Sequence, residues 1–566
     1  MKKRNKQTIF IVGAIAILVI IYFLAAQLHY RFDLTQEKRY SLNKATKRLA
    51  QNLEQPVQVD VFLKGDYPAG FRKLAQTTQE FLQTLREYNT SKINYRFIAP
   101  EDEMPGTNKT YGDSLVNRGI SPINLTVQVK SGQENKLVFP VAIVHSNDHE
   151  AVVDLYAGGK RLITPAELNN AEALMEYRFA KALDELSRTT KPFIAYSTGN
   201  GEPTGPETYS LQQTLQNDYQ LFTFDLNKQR FIPDTFKVLL IVKPSVSFTE
   251  PEKRKIDQYV MHGGKLLWFI DGLHAEQDSL RFKTETVAYD RNLNLDDLLF
   301  RYGVRINPDL IMDLQSDFMP FVVGGSAANP QYEFLHWNYY PLFESKENNP
   351  ITKNLGLVAG RFVNSMDTVG ADGIRKMILL SSSNNARTIK TPALISLNEN
   401  RNMPEDAAFR QKNIPAAVLS EGTFQSLYKA RTPRAVIDTM AAEGYSYREV
   451  SDHNKIIIVS DGDIVLNDVS SQQGPLPMGM NLYTAGTQYE YQFANRDFLL
   501  NSLEYLTSRP EIIQTRNKEI VLRLLDTKKV AEQRTLWQLI NIALPIALVI
   551  LIGIIYQQVR KHSFSL

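Results

Sequence analysis

The chain has 566 residues, with 43% hydrophobic and 22% charged side chains and a formal net charge of +3. This length exceeds what one hydrophobic core supports, so we expect two or three domains, and the composition excludes a disordered chain. The small net charge gives no indication of a nucleic-acid partner. The chain has no cysteine, which excludes disulfides, thiolate catalysis and cysteine-ligated metal centres.

The first apolar segment, residues 8–26, follows four basic side chains, Lys2, Lys3, Arg4 and Lys6. As a helix this segment would span roughly 28 Å, about the thickness of the hydrocarbon core of a bilayer. It is longer than the apolar part of most signal peptides, so we predict an uncleaved transmembrane helix within residues 1–29. The basic residues ahead of it predict a cytoplasmic amino terminus.

A second apolar segment, residues 536–556, is followed by Arg560 and Lys561. We predict a second transmembrane helix here, with a cytoplasmic tail at 557–566 and the large central region in the periplasm. The segment contains Asn541, Pro545 and Gly553. Proline leaves the carbonyl four residues earlier, that of Asn541, without a helical hydrogen bond, and glycine permits close helix approach. We therefore predict docking against another membrane helix; the alternative is that Asn541 meets water at the interface.

The sequence pattern of residues 30–160 predicts an extracytoplasmic α/β domain. Apolar periodicity predicts a helix at 71–88 and four strands, at 57–63, 93–98, 125–129 and 137–144. A βαβ unit followed by antiparallel strands is typical of a thioredoxin-like layer, although without cysteine the layer cannot be a redox site. A capping box at Thr164 and Glu167, with proline between them, then predicts a bridging helix within 161–190.

Residues 191–510 predict a doubly wound α/β domain with a parallel sheet. Continuous apolar runs at 192–197, 237–242, 265–271 and 455–463 are typical of strands buried on both faces. Between two of them, Thr249 and Glu252 form a capping box that opens a helix. We expect a long insertion at about 273–435, with possible strands at 376–380 and 393–397. A helix at 495–506 closes the domain, and a juxtamembrane helix is predicted at 511–535.

Candidate binding residues follow the predicted strands, because parallel sheets place their ligands at the carboxyl ends of the strands. They are Gly199, Asn200, Gly201 and Glu202 after the first strand, and Asp271, Asp461 and Asp463 after two others. The glycine-rich turn could bind an anion; the alternative is a tight turn that only reverses the chain. The aspartates could meet Glu202 in an oxygen-lined cation site; the alternative is that they cap helices or turns.

Five blocks of sequence are informative together, namely Arg31-Phe-Asp-Leu-Thr-Gln-Glu-Lys-Arg-Tyr-Ser-Leu42, Pro56-Val-Gln-Val-Asp-Val-Phe-Leu63, Leu168-Asn-Asn-Ala-Glu-Ala-Leu-Met-Glu-Tyr-Arg-Phe179, Thr198-Gly-Asn-Gly-Glu202 and Tyr259-Val-Met-His-Gly-Gly-Lys-Leu-Leu267. In their order and spacing they resemble the GldG family, the gliding-motility-associated auxiliary and nominally substrate-binding component of a bacteroidete ABC transporter. The resemblance runs over nearly the whole chain and implies an inner-membrane protein working with a separate ABC permease and a separate cytoplasmic ATPase. It also implies an amidotransferase-like sheet domain. No catalytic residue is carried over, because amidotransferases need a cysteine nucleophile.

The chain has no G-x-x-x-x-G-K-[ST] motif, so a different subunit must hydrolyse ATP if the transporter does. We predict a non-enzymatic auxiliary subunit with no cofactor, no metal and no catalytic residue. Its extracytoplasmic domain would bind a substrate, or a partner in the envelope or motility machinery. Two alternatives remain open: a hydrolase-like enzyme of the envelope with a site at the carboxyl edge of the sheet, and a purely structural brace.

Overall fold

The computed structural model describes residue 13 and residues 41–564, except 121, 130–131, 148, 157–164, 188–189, 327–328, 348, 398–405, 508–509 and 518–526. The chain up to Glu519 forms one compact unit, and Ile520–Leu566 forms a second. Apart from Gly13, the predicted first transmembrane helix lies outside the described residues.

The amino-terminal part of the first unit is an α/β layer. Its elements are α1 (Lys44–Gln51), β1 (Val57–Val61), α2 (Ala69–Glu87), β2 (Ile93–Phe97), α3 (Tyr111–Asn117), β3 (Ile123–Val129), β4 (Gly132–Val138), β5 (Val141–Ser146), β6 (His149–Asp154) and α4 (Pro165–Ser187). The four-stranded sheet has the order β2-β1-β5-β6, and only β1 and β2 are parallel. Alternate side chains of β1 pack with α2 and α4 in one core.

The prediction of a single strand at 137–144 is wrong, because the structure divides this stretch between two strands. β4 ends at Val138 and pairs with β3, whereas β5 begins at Val141 and pairs with β1. Pro140 lies between them and has no backbone N–H to donate to a sheet. The break lets β3 and β4 form a hairpin of their own.

The next elements build the main sheet. They are β7 (Phe193–Thr198), α5 (Tyr209–Asp218), β8 (Gln220–Asp225), β9 (Val238–Val242), α6 (Glu250–Met261) and β10 (Lys265–Phe269). The capping box predicted at the start of α6 is present, with the backbone N–H of Thr249 donating to the carboxylate of Glu252 over 2.7 Å.

The segment that follows β10 forms small sheets around a separate apolar core that contains Trp337 and Ile395. Its elements are β11 (Leu273–His274), α7 (Gln277–Phe282), β12 (Glu285–Asp290), α8 (Asp296–Arg301), β13 (Val304–Ile306), β14 (Asp309–Asp313), β15 (Ser316–Ser326), β16 (Asn329–Phe343), β17 (Val358–Ala359), β18 (Met366–Thr368), β19 (Ile374–Ser381), β20 (Ala386–Lys390) and β21 (Ala393–Ser396).

The last elements of the first unit are β22 (Pro415–Gln425), α9 (Arg434–Ala442), β23 (Val450–Val459), β24 (Val469–Ser470), β25 (Gly474–Pro475), α10 (Asn495–Thr507) and α11 (Pro510–Ile513). Short 3-10 helices lie at Pro206–Thr208, Asp406–Ala408, Asp463–Val465 and Gln514–Asn517.

The main sheet has seven strands in the order β19-β22-β23-β10-β9-β7-β8. The five strands from β23 to β8 are parallel, but β22 pairs antiparallel with β23 and β19 antiparallel with β22. The sheet is therefore mixed and not wholly parallel. The interval 273–435, expected to be an insertion, supplies two of its strands.

Helices cover both faces of this sheet, as in a doubly wound fold. On one face, α5 and α10 pack over alternate residues of the central strands, including Leu240 and Ile457. On the other, α6 and α8 pack over the intervening residues, including Leu239 and Ile458. Burial on both faces is the physical reason for the continuous apolar runs in the sequence.

The second unit contains one long helix, α12 (Thr527–Phe564). Its stretch Gln533–Lys561 contains an 18-residue segment with a mean hydropathy of 2.7 and is, within the described part of the chain, the single helix long and apolar enough to cross a membrane. None of this stretch is buried. α12 runs through residue 535 without interruption, so the predicted juxtamembrane and membrane segments are continuous from Thr527.

Candidate functional site

Lys243 lies at the centre of a charged cluster at the carboxyl edge of the main sheet. It directly follows β9, precedes Pro244, and has a φ of +45°, an uncommon conformation for a residue other than glycine. Its ammonium lies 2.7 Å from Asp463, 3.1 Å from Glu276 and 3.2 Å from Asp271. One lysine thus joins loops that follow three neighbouring strands, β9, β10 and β23.

The aspartates of this cluster are held by backbone N–H groups. The backbone N–H of Gly462 donates to Asp271. Asp461 is fully buried and accepts hydrogen bonds from the backbone N–H groups of Arg361, at 2.7 Å, and of Asp463, at 2.8 Å. These bonds fix the positions of the carboxylates.

Burial and mutual repulsion set the protonation of the cluster. Burial raises the pKa of Asp271 to about 6, against the opposing effect of the Lys243 ammonium. Burial, together with the charges of Asp463 and Asp271, raises the pKa of Asp461 well above its usual range. Burial lowers the pKa of Lys243, but the surrounding carboxylates outweigh that effect and leave the pKa well above its usual value.

The Lys243 ammonium stands where the sequence suggested a bound cation. A lysine held in its charged form has no lone pair to offer as a nucleophile or base. Among the described residues, no group of three or more His, Cys, Asp or Glu side chains could hold a metal ion. The arrangement is a buried ion cluster in which one ammonium offsets part of the negative charge of three carboxylates and ties their loops together.

A second layer of charge surrounds the cluster. Arg361 binds both carboxylate oxygens of Asp468, at 2.8 and 2.7 Å, and its guanidinium lies 5.4 Å from the centre of the Tyr340 ring. Arg291 pairs with Glu276 at 2.7 Å. A cavity of about 20 Å³ lies beside Asp463, Arg361 and Tyr340, with room for about one water molecule.

The glycine-rich turn is bonded mainly to itself and to the loop after β9. The carboxylate of Glu202 accepts the backbone N–H of Asn200 over 2.8 Å, and the carbonyl of Asn200 accepts the backbone N–H groups of Ser245 and Val246. Burial raises the pKa of Glu202, which its own backbone N–H and that of Asn200 partly offset. Gly199 and Gly201 have φ values of +121° and +77°, which glycine adopts without strain.

The structure therefore brings Asp271, Asp461 and Asp463 together but places Glu202 in a separate loop. No hydrogen bond or ion pair joins Glu202 to the cluster within the described chain. The sequence places Lys243 at this edge, at the end of the second strand, but Lys243 was not selected as a site residue. The available signal was a basic side chain, directly before proline, at the end of a fully buried strand.

Asn541, Pro545 and Gly553 lie on α12, with Pro545 inside the helix. Their side chains are exposed in the structure, and a Cβ at Gly553 would meet nothing within 4 Å. Their role in docking stays a prediction.

The architecture defines an α/β protein with a buried, lysine-centred ion cluster and a long apolar helix. The family model described as "ABC-type uncharacterized transport system" matches residues 191–502, more than half of the chain, so the protein belongs to this family. Membership indicates an auxiliary component of an ABC-type transport system. A second model, "Domain of unknown function (DUF7088)", matches residues 36–145.

Similarity to solved structures is low. The "mmIFT52 N-terminal domain" is 14% identical with a TM-score of 0.31, over 56% of this chain and 98% of that one. Exo-beta-1,4-mannosidase Op5Man5 from Opitutaceae bacterium strain TAV5 is 10% identical with a TM-score of 0.19, over 75% of this chain and 51% of that one. Both TM-scores lie below 0.5, so neither likeness carries an argument. No curated protein sequence matches the chain.

Proposed function

We propose that this protein is a non-enzymatic, GldG-type auxiliary subunit of an inner-membrane ABC transporter of gliding Bacteroidota, anchored by a helix at each end. Its central region lies in the periplasm, and its partners are a membrane permease and a separate cytoplasmic ATPase. The observation that carries the proposal is the family match over residues 191–502. The apolar, fully exposed helix within α12 supports the membrane location.

A scaffold role, and not catalysis, is supported by the ion pairs of the Lys243 cluster, which keep its lysine in the charged form. One carboxylate oxygen of Glu202 accepts a hydrogen bond within its own turn. We propose further that the amino-terminal layer is thioredoxin-like and the main sheet amidotransferase-like. The order β2-β1-β5-β6 and the five parallel strands support these assignments, and the lack of cysteine removes the redox and amidotransferase chemistries.

α4 supports a coupling role because three consecutive residues contact segments close in sequence to both apolar ends. Glu176 accepts hydrogen bonds from the backbone N–H of Asn43 and the hydroxyl of Thr46, at the start of α1. The next residue, Tyr177, donates to Glu504 of α10, and Arg516 lies 4.7 Å from its ring.

Arg178, third in the series, is buried among the charges of Asp497, Asp154 and Arg516. α4 thus links α1, the main sheet's α10 and the helical turn before the second apolar segment. A displacement of either segment would reach the sheet in part through α4.

Purification of the tagged full-length chain from membranes of its own cells tests the proposal. We expect two co-purifying proteins: one with several apolar segments and one with a G-x-x-x-x-G-K-[ST] motif. ATP hydrolysis should depend on the second and disappear when its motif lysine is replaced. Purification of the chain without either protein under mild solubilisation, or ATP hydrolysis by the chain alone, would refute the proposed role.

A further inference from the structure

A groove lies in the amino-terminal layer, and none of the residues of the Lys243 cluster lines it. Its volume is about 680 Å³, within the range of about 300–1,000 Å³ found for small-molecule sites. Apolar side chains of α1, of the segment just after α1, of α4 and of α11 line it, namely Leu49, Leu53, Leu183, Leu186 and Ile512. Leu49, Leu53 and Leu186 are only partly buried, so they present apolar surface to whatever enters.

The dimensions of the groove restrict its occupant. An α-helix about 10 Å across would fill this volume with roughly six residues, fewer than two turns. An extended peptide would need a strand edge to satisfy its backbone. Only terminal residues of strands, Val57, Ser146 and His149, reach the groove, so it offers no such edge. Neither restriction applies to a flexible hydrocarbon chain, because it is not a helix and has no backbone polar groups that need partners.

The rim of the groove suits a polar head. Arg48 and His149 lie among its lining residues, together with Asn52, Asn147 and Glu54. Basic and amide side chains are ordinary partners of a phosphate group. In sequence, the groove residues of α1 follow the first apolar segment closely, and Ile512 precedes the second.

We propose that this groove binds one acyl chain of a membrane phospholipid, with the phosphate of the head group at the rim. The hydrocarbon chain lies against the leucines of α1 and α4, which removes their apolar surface from water. The site uses none of the residues of the charged cluster, but α1 and α4, which line it, are also the helices of the proposed coupling role.

Photolabelling of the full-length protein tests the proposal. The protein is reconstituted in vesicles of phosphatidylethanolamine and phosphatidylglycerol with a trace of phospholipid that carries a diazirine near the end of one acyl chain. After irradiation, we expect label on peptides from α1 and the end of α4 as well as on α12. α12 serves as the internal control for lipid contact, so label confined to α12 would overturn the proposal.

Variants within the groove sharpen the test. Leu186→Trp fills the groove from a partly exposed position and should reduce its label at least fivefold relative to that of α12. Leu53→Trp makes the same test from the other side of the groove, just after α1, if the first variant folds poorly. The matched control is Val116→Trp, at a position 53% exposed on α3, which should leave the label unchanged. Unchanged groove label in a folded Leu186→Trp or Leu53→Trp protein contradicts the proposal.

Competition separates a lipid site from a general anion site. A lauroyl lysophospholipid should displace the photolabel, whereas glycerol phosphate, which has the head but not the chain, should not. Displacement by glycerol phosphate alone would reassign the groove as a phosphate site and reject the acyl chain as its ligand.

Discussion

The ammonium of Lys243 lies 2.7 Å from a carboxylate oxygen of Asp463, although 220 residues separate the two in sequence. Lys243 follows β9 and Asp463 follows β23, and these strands flank β10 on either side. The bond therefore crosses the end of the central strand. It makes the carboxyl edge of the sheet one connected surface, with Asp271 from the middle strand beneath it.

Replacement of Lys243 with methionine should destabilise the protein by about 3–5 kcal/mol, because it leaves buried carboxylates without their counter-charge. The side chain is only 12% exposed, so water cannot replace the ammonium. The loss should be smaller at about pH 5 than at pH 7, since Asp271, with a pKa of about 6, is protonated at the lower pH. Urea unfolding of the detergent-solubilised chain measures the difference.

Lys228→Met is the control for that change. Lys228 also pairs with an aspartate, Asp225 at 2.8 Å, but its side chain is 80% exposed. Exposed pairs contribute little, so this variant should unfold almost as the parent does. Equal losses in the two variants would mean that the cluster is solvated and does not hold the loops.

Gly462→Ala should disturb the same cluster by steric contact alone. A Cβ at position 462 would lie 2.5 Å from Cβ of Lys243 and 3.0 Å from its Cα. Because part of the obstacle is backbone, we expect a loss of about 1–3 kcal/mol in the free energy of unfolding. Gly370→Ala is the control, since a Cβ there meets nothing within 4 Å. A loss no larger than that of the control would show that the Lys243 loop shifts to accommodate the new Cβ at little cost in free energy.

The strands of the main sheet could be predicted from sequence where burial is complete. β7, β9, β10 and β23 are continuous apolar runs, because each is covered on both faces by helices. β19 was located but not assigned to this sheet. Its pairing with β22 depends on contacts about 40 residues away, and no local pattern encodes that pairing.

The candidate site, like the main sheet, could be predicted only in part from the sequence. Asp271, Asp461 and Asp463 could be found because the carboxyl ends of parallel strands converge. Glu276 and Arg361 come from loops whose course the sequence does not fix, so their contacts with the cluster had no sequence signal. Glu202 lies apart from the three aspartates because its carboxylate accepts a hydrogen bond from the backbone N–H of Asn200 in its own turn. Such local side-chain-to-backbone bonds compete with longer-range contacts.

Glu185 should make the stability of the protein depend on pH. Burial raises the pKa of this carboxyl on α4 to about 7, with Lys181 opposing the shift and Asp218 and Glu504 adding to it. A raised pKa means that the folded state holds the proton more tightly than the unfolded state. The free energy of unfolding should therefore fall as the pH rises from about 5 to about 8.

Glu185→Gln, which cannot ionise, should reduce that dependence. Thermal unfolding at the two pH values measures it, with Glu87→Gln at an exposed position of α2 as the control. An identical pH dependence in the parent and in Glu185→Gln would assign the titration to other groups.

The topology of the chain can be tested with a reporter that is active only outside the cytoplasm. Basic residues flank both apolar segments on their outer sides, which predicts that both termini are cytoplasmic. The reporter should be active when inserted near Asn400 and silent when fused after Leu566. Activity at the carboxyl terminus with silence near Asn400 would reverse the assignment.

The second apolar segment should act as a docking element as well as an anchor. One helix of about 20 apolar residues already holds a protein in a bilayer, so a second helix needs another reason. Pro545 lies inside α12 and leaves the carbonyl of Asn541 without a helical hydrogen bond. A neighbouring membrane helix can satisfy this carbonyl and approach closely at Gly553.

Replacement of residues 536–556 with polyleucine of equal length tests this role, with the flanking charges and the rest of the chain retained. Insertion and abundance should be normal, because polyleucine is sufficiently apolar to anchor the protein. Co-purification of the permease, and surface motility where the host glides, should fall because the docking groups are lost. As a matched control, polyleucine that keeps Asn541, Pro545 and Gly553 should recover both properties. Full retention by polyleucine alone would show that any apolar anchor suffices and that these three residues have no role in docking.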